Sequence, residues 1–154
     1  MVTKLQADTP PSSAGGAFVT LVTGYDNQSI SLNGQAWHES VLLLPDAAPL
    51  PAPCPQFKDL TSKILRGIRT TQPQLLIVGT GRRGALLRPE LAAALMGRSL
   101  EDEFADEASA LAPVGVESMD TQAACRTYNL LVTEGRRVAA LFFLGESEPH
   151  EQLA

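Results

Sequence analysis

The chain is poor in the residues that carry covalent and metal chemistry. Its 154 residues include two cysteines, Cys54 and Cys125, and two histidines, His38 and His150. Two thiols cannot make a disulfide framework. Two histidines and two widely separated cysteines give no zinc spacing, so no metal and no cofactor is expected. A nucleophilic Cys125 would need a base, normally histidine; His38 falls on an expected strand and His150 in an expected tail. The carboxylates are too scattered to nominate an acid/base pair. No catalytic residue is assigned, and the reading leans away from an enzyme.

Excess positive charge is also lacking. Twelve Lys and Arg stand against seventeen Asp and Glu, a net charge of -5 with a pI near 5.0. That balance lacks the basic footprint of a nucleic-acid binder. No apolar run reaches 18 residues, and the opening MVTKLQADTPPSSAGGAF has no apolar core of signal-peptide length. Neither membrane insertion nor export is expected, and a reducing, cytoplasmic setting follows with both thiols free.

What is present is an ordinary globular composition in one domain's length. Residues 1–16, rich in Pro, Ser and Gly, read as a mobile arm, residues 17–145 as a single α/β domain, and 146–154 as a polar tail. FVTLVTGYD, SISLN and QAWHESVLLLP predict a β-meander, with Asn33-Gly34 its strongest hairpin mark. Five prolines in PDAAPLPAPCPQ, residues 45–56, exclude helix and central strand and predict a surface loop. Leu60, Ile64, Leu65 and Ile68 recur at helical spacing, which predicts an amphipathic helix over about 58–70 capped by Asp59.

QLLIV predicts a strand buried on both faces, and RPELAAALMGR a helix with Pro89 in its first turn. Between them lies VGTGRRG, a G-x-G-x-x-G in Gly79, Gly81 and Gly84. Such a pattern arises often by composition alone, but backbone amides between a strand and a helix are well placed for an anion. No Gly-Lys-Ser/Thr follows, which excludes a Walker A loop, and the ribose-binding acid of a dinucleotide site is not at its usual distance. Three readings stay open, in this order: a tight structural turn; an anion or small phosphorylated-ligand site using Gly79, Thr80, Gly81, Arg82, Arg83 and Gly84; and last a dinucleotide site.

Residues 99–113 carry five acids and no base, and 98–113 read as an acidic insertion, helical or solvated. VGVESMD predicts a strand, and TQAACRT a small helix capped by Asp120 or Thr121. YNLLVTEGRRVAALFFLG predicts a closing hairpin about Glu134-Gly135, with an edge open to a dimer or a partner strand. The fold class expected is α/β: a three-layer single domain with a central mixed, partly parallel sheet, an N-terminal β-meander and a C-terminal β-hairpin.

LLIVGTG, GVESMDTQAACRTYNLLVTEGRRVAALFF and ISLNGQAWHESVLLLP together resemble the family of small prokaryotic proteins related to the mitochondrial complex I (NADH:ubiquinone oxidoreductase) assembly factor three. The resemblance spans roughly residues 18–144 and rests most on Asp120, Thr121, Cys125, Tyr128 and Asn129, together with Gly79, Thr80 and Gly81. It implies a three-layer fold with a mixed sheet, no known enzymatic activity and a role as partner to another protein. The acidic insertion is longer than the resemblance suggests, and the N-terminus lacks the Arg-rich, acid-poor character of a mitochondrial import signal, so a bacterial cytoplasmic interaction protein of unknown partner and oligomeric state is expected.

Overall fold

A computed structural model of the chain describes residues 3–4, 19–97 and 111–145. Apart from Thr3 and Lys4, the expected N-terminal arm lies outside them, as do the C-terminal tail and most of the acidic insertion. The elements in order are β1 (Thr3–Lys4), β2 (Val22–Asp26), β3 (Ser29–Leu32), β4 (Gln35–Trp37), β5 (Val41–Leu43), β6 (Leu50–Pro51), α1 (Ser62–Arg69), β7 (Leu75–Gly79), α2 (Pro89–Leu95), β8 (Gly115–Met119), α3 (Thr121–Thr133) and β9 (Val138–Phe142). They form two sheets: an antiparallel one in the order β1-β2-β3-β4 and a mixed one in the order β6-β5-β9-β7-β8.

The core is laid down by strand alternation. On β7 and β9, Leu76, Val78, Ala139 and Leu141 point to one side, with Phe143 beyond the strand end, and pack against Leu65, Ile68, Leu91 and Leu95 of α1 and α2. Ile77, Val138, Ala140 and Phe142 point to the other, against Ala124, Cys125 and Tyr128 of α3 and against Val22, Tyr25, Ile30 and Leu32 of the first sheet. The mixed sheet is therefore a middle layer with α1 and α2 on one face and α3 with the antiparallel sheet on the other, so the expected mixed sheet and N-terminal antiparallel unit are both present. The Asn33-Gly34 turn joins β3 to β4, both residues at positive φ (49° and 86°), as a tight type I′ hairpin requires.

Three expectations are corrected. The closing hairpin is absent: YNLLVT is the second half of α3, and β9 follows alone. Its aromatic and branched residues suggest a strand, but Thr121, Ala124, Cys125, Tyr128, Leu131 and Val132 fall at spacings of three and four and face one core. Asp120 starts this helix by accepting from Ala123 N at 2.9 Å, and Gly135 at φ 83° turns the chain out of it. β9 is then paired on both sides, antiparallel to β5 and parallel to β7, so the last strand offers no open edge.

The third strand of the expected meander is split. Gln35–Trp37 remains at the rim of the first sheet, the chain bends at His38–Ser40, and Val41–Leu43 enters the second. Val41, Leu42 and Leu43 are all buried, which demands a strand covered on both faces, whereas Gln35 and Ala36 are exposed. The helix expected over 58–70 is Ser62–Arg69, capped by Thr61, whose Oγ1 accepts from Ile64 N at 3.3 Å. Phe57–Asp59 is a separate 3-10 turn, and Leu60, only 1% exposed, is drawn into the core in extended conformation between them.

Candidate functional site

The three parallel strands end side by side, Gly79 opposite both Met119 and Phe142. The chain leaving β7 runs to α2 on one face and the chain leaving β8 runs to α3 on the other. Open α/β sheets commonly bind ligands where connections diverge in this way. Here the two connections are laced together. Thr80 N donates to Met119 O at 2.8 Å, and Thr121 N to Gly81 O at 2.9 Å. Thr121 Oγ1 accepts from Gly81 N at 2.9 Å and donates to Phe143 O at 2.6 Å, while Thr80 Oγ1 donates to Arg83 O at 2.5 Å.

This lacing explains two of the glycines. A Cβ on Gly79 would sit 2.8 Å from Thr121 Oγ1 and 2.9 Å from its Cα, and Gly81 turns at φ 112°. Of the six residues nominated from sequence, Gly79, Thr80 and Gly81 are buried, and the amides of Thr80 and Gly81 are bonded within the protein. Arg82, Arg83 and Gly84 are exposed. The chain then runs four more residues before α2 begins at Pro89, so the direct junction of glycine loop and helix that the motif suggests is not formed.

Those intervening residues are held at their far end. Arg88 Nη2 donates to Leu60 O at 3.0 Å, its carbonyl accepts from Leu91 N and Ala92 N, and Leu87 packs against the α1/α2 core. Between these anchors Leu86 is 88% exposed.

The other nominated residues line α3. Asp120 caps it and Thr121 binds the two connections together. Cys125 is fully buried, and burial above all pushes its thiol from an ordinary 9.0 up to about 12; the Arg126 charge opposes this and Asp120 adds to it. That places it away from nucleophilic chemistry. Tyr128 Oη donates to Thr20 O at 2.9 Å, its ring meets Phe142 edge-on at 5.5 Å, and burial raises its pKa. Asn129 grips the backbone of β2, donating to Val22 O at 2.7 Å and accepting from Val22 N at 2.9 Å. Tyr25 comes close to this group from the first sheet; burial first, then the nearby Cys125 and Asp120, raise its pKa from 10.0 to about 12.

A groove of about 640 Å³ beside the end of β9 went unmarked in the sequence. Asn27, His38, Glu39, Cys54 and Gly145 contribute to its walls from four separate segments. Ser40 fixes these walls together, its Oγ accepting from Leu144 N at 3.1 Å and donating to Pro55 O at 3.2 Å. Cys54 Sγ donates to Gln56 O at 3.6 Å, and burial, followed by the charge of Asp59, pushes this thiol up as well. The only sequence signal was the proline-rich loop, which does not point to His38–Ser40, residues that the sequence places within a strand. Among the described residues no three His, Cys, Asp or Glu side chains gather as a metal site, and no helix is long and apolar enough to cross a membrane.

Solved structures share this fold. A Bordetella parapertussis protein is 35% identical with a TM-score of 0.64, over 82% of this chain and 96% of its own. A Xanthomonas campestris protein is 26% identical with a TM-score of 0.67, over 92% and 98%. A Bordetella pertussis protein described as an Mth938-like domain is 28% identical with a TM-score of 0.65, over 97% and 98%. No curated protein matches the chain. Residues 22–143 match the family described as "Protein of unknown function (DUF498/DUF598)", and the chain belongs to that family.

Proposed function

We propose that this chain is a non-enzymatic protein-binding module that works in the cytoplasm in the manner of an assembly factor. Its docking element is the stretch Arg82–Arg88, which offers Leu86 to an apolar pocket with an acidic rim on the partner. The observation that carries the reading is Leu86, 88% exposed on a segment anchored at both ends. A large apolar side chain held out in this way binds without first being ordered, and its burial is worth about 1.5–3 kcal/mol. The exposed Arg82 and Arg83 precede it, while Arg88 behind it is engaged by Leu60 O and paired with Glu90 at 3.7 Å; cations beside an apolar anchor favour an acidic rim and speed encounter. The resemblance to an assembly-factor family supports the same class of activity.

The alternative, a phosphorylated ligand on Gly79–Gly84, is supported by the exposed Arg82 and Arg83 side chains but not by the Thr80 and Gly81 amides, which are bonded internally. The test is a photo-crosslinking amino acid at position 86 of the full chain in cells. The expected result is one discrete adduct, lost in an Arg82→Glu/Arg83→Glu variant of unchanged thermal stability, on a partner whose crosslinked pocket is apolar with Asp or Glu at its rim. Adducts that ignore the charge reversal, or no adduct, overturn the reading. Saturable shifts of the Gly79–Gly84 amides with inorganic phosphate would favour the alternative.

A further inference from the structure

β4 is the last strand of the first sheet, paired with β3 on one side and with no other strand among the described residues. A shallow depression of about 350 Å³ lies over it, lined by Gln35 to Glu39. His38 and Glu39 line both this depression and the 640 Å³ groove, so the open edge and the groove form one continuous surface. The surface is built in advance: Ser40 ties the end of β9 to the proline-rich loop, and Pro53 and Pro55 stiffen the groove wall.

We propose that this surface docks a short extended segment of another protein, which adds as a fifth strand beside β4 and places a Lys or Arg side chain in the groove, opposite Glu39. An unpaired edge supplies main-chain donors and acceptors at strand spacing, and an adjacent pocket selects side chains; this is how extended peptides are recognised on sheet edges. The groove volume lies within the range of small-ligand sites, enough for one or two side chains. Its charge selects the class. Glu39 is the one acidic side chain that lines both cavities; no Lys or Arg lines either, and the neighbouring cation is Arg82, whose Cγ packs against Gly145 of the groove wall, among residues other than Glu39. A second copy is a poorer occupant, because Gly34–Ser40 contains no Lys or Arg to meet Glu39. Leu86 lines neither cavity, although Arg82 packs beside Gly145 of the groove wall, so the two proposals are told apart by their variants, Glu39 here and Leu86 above.

The test is selection of displayed random nine-residue peptides against the full chain. Enriched peptides should carry a Lys or Arg at one fixed position and shift the amide resonances of Gln35–Glu39. Glu39→Lys should weaken them by about tenfold or more, and Glu39→Gln by less, as expected for a charge contact. Leu86→Ser should leave them unchanged. Glu39 is exposed, and unaltered melting of both variants confirms that the fold is intact. No enrichment, enrichment without a cation, or equal binding to Glu39→Lys overturns the proposal. So does a concentration-dependent dimer that shifts the same amides without peptide, which would give the edge to a second copy.

Discussion

Thr121→Val changes one buried hydroxyl to a methyl and leaves the shape of the side chain almost unaltered. Thr121 has no exposed surface, and its Oγ1 accepts from Gly81 N and donates to Phe143 O. The valine variant strands a buried N–H, and beside it a carbonyl of a fully buried residue. Each unsatisfied group costs about 1–3 kcal/mol, so the pair comes to roughly 2–6 kcal/mol. Thr121→Ser keeps the hydroxyl and loses one methyl, about 1 kcal/mol. Urea unfolding of both variants isolates the hydroxyl, and melting temperatures should follow at roughly 2–4 °C per kcal/mol for a chain of this size. Amide exchange adds a local reading, with Gly81 protection lost in the valine variant and retained in the serine one. A valine variant as stable as the serine variant would refute the reasoning, since the connections would then be held by something other than this hydroxyl.

Gly79→Ala should destabilise by about 1–3 kcal/mol, because its Cβ meets the Thr121 backbone, which cannot swing aside; unfolding indistinguishable from wild type would show that β7 and α3 can part freely. Asn129→Leu removes both bonds to Val22 and should cost about 2 kcal/mol or more, with accelerated exchange of the Val22 amide as the diagnostic reading. Cys125 and Tyr25 both have pKa values raised to about 12, from 9.0 and 10.0, so the folded state holds their protons longer than the unfolded chain does. Their contribution to stability is therefore fully present below pH 9 and is lost as the pH rises from 9 towards 12. The urea midpoint should be level from pH 7 to about 9 and then fall, less steeply in Tyr25→Phe; a midpoint that keeps rising there contradicts the assignment.

The parts of the fold legible in the sequence are those written in local pattern. Asn33-Gly34 is a hairpin turn because only such residues accept two positive φ angles in succession, and LLIV is a doubly covered strand because every residue in it is apolar. Pro89 and Asp120 mark helix starts by the chemistry of their own residues. Where two patterns overlapped, the local reading failed. YNLLV has strand-forming residues and helical spacing together, and the packing of Tyr128, Leu131 and Val132 against the antiparallel sheet decided for helix. QAWHESVLLLP looks continuous because no strong breaker interrupts it, yet only its second half has a strand paired on either side.

The candidate site divides in the same way. Gly79, Gly81, Arg82 and Arg83 were visible as a motif, but the motif could not say that Thr121, forty residues on, occupies the Gly81 amide. The exposure of Leu86 was equally hidden, since LL in a sequence does not tell which leucine enters the core; Leu87 does and Leu86 does not. The groove was invisible for a related reason: His38, Cys54 and Gly145 meet only because β5 and β9 pair antiparallel and Ser40 holds the proline loop against them. The sequence alone determined which segments are strand, turn or helix wherever backbone preference and hydrophobic period agree, because those are energies between near neighbours. Tertiary structure decided which amides remain open, which leucine is presented and where a groove forms, because these depend on partners brought close only when distant segments pack.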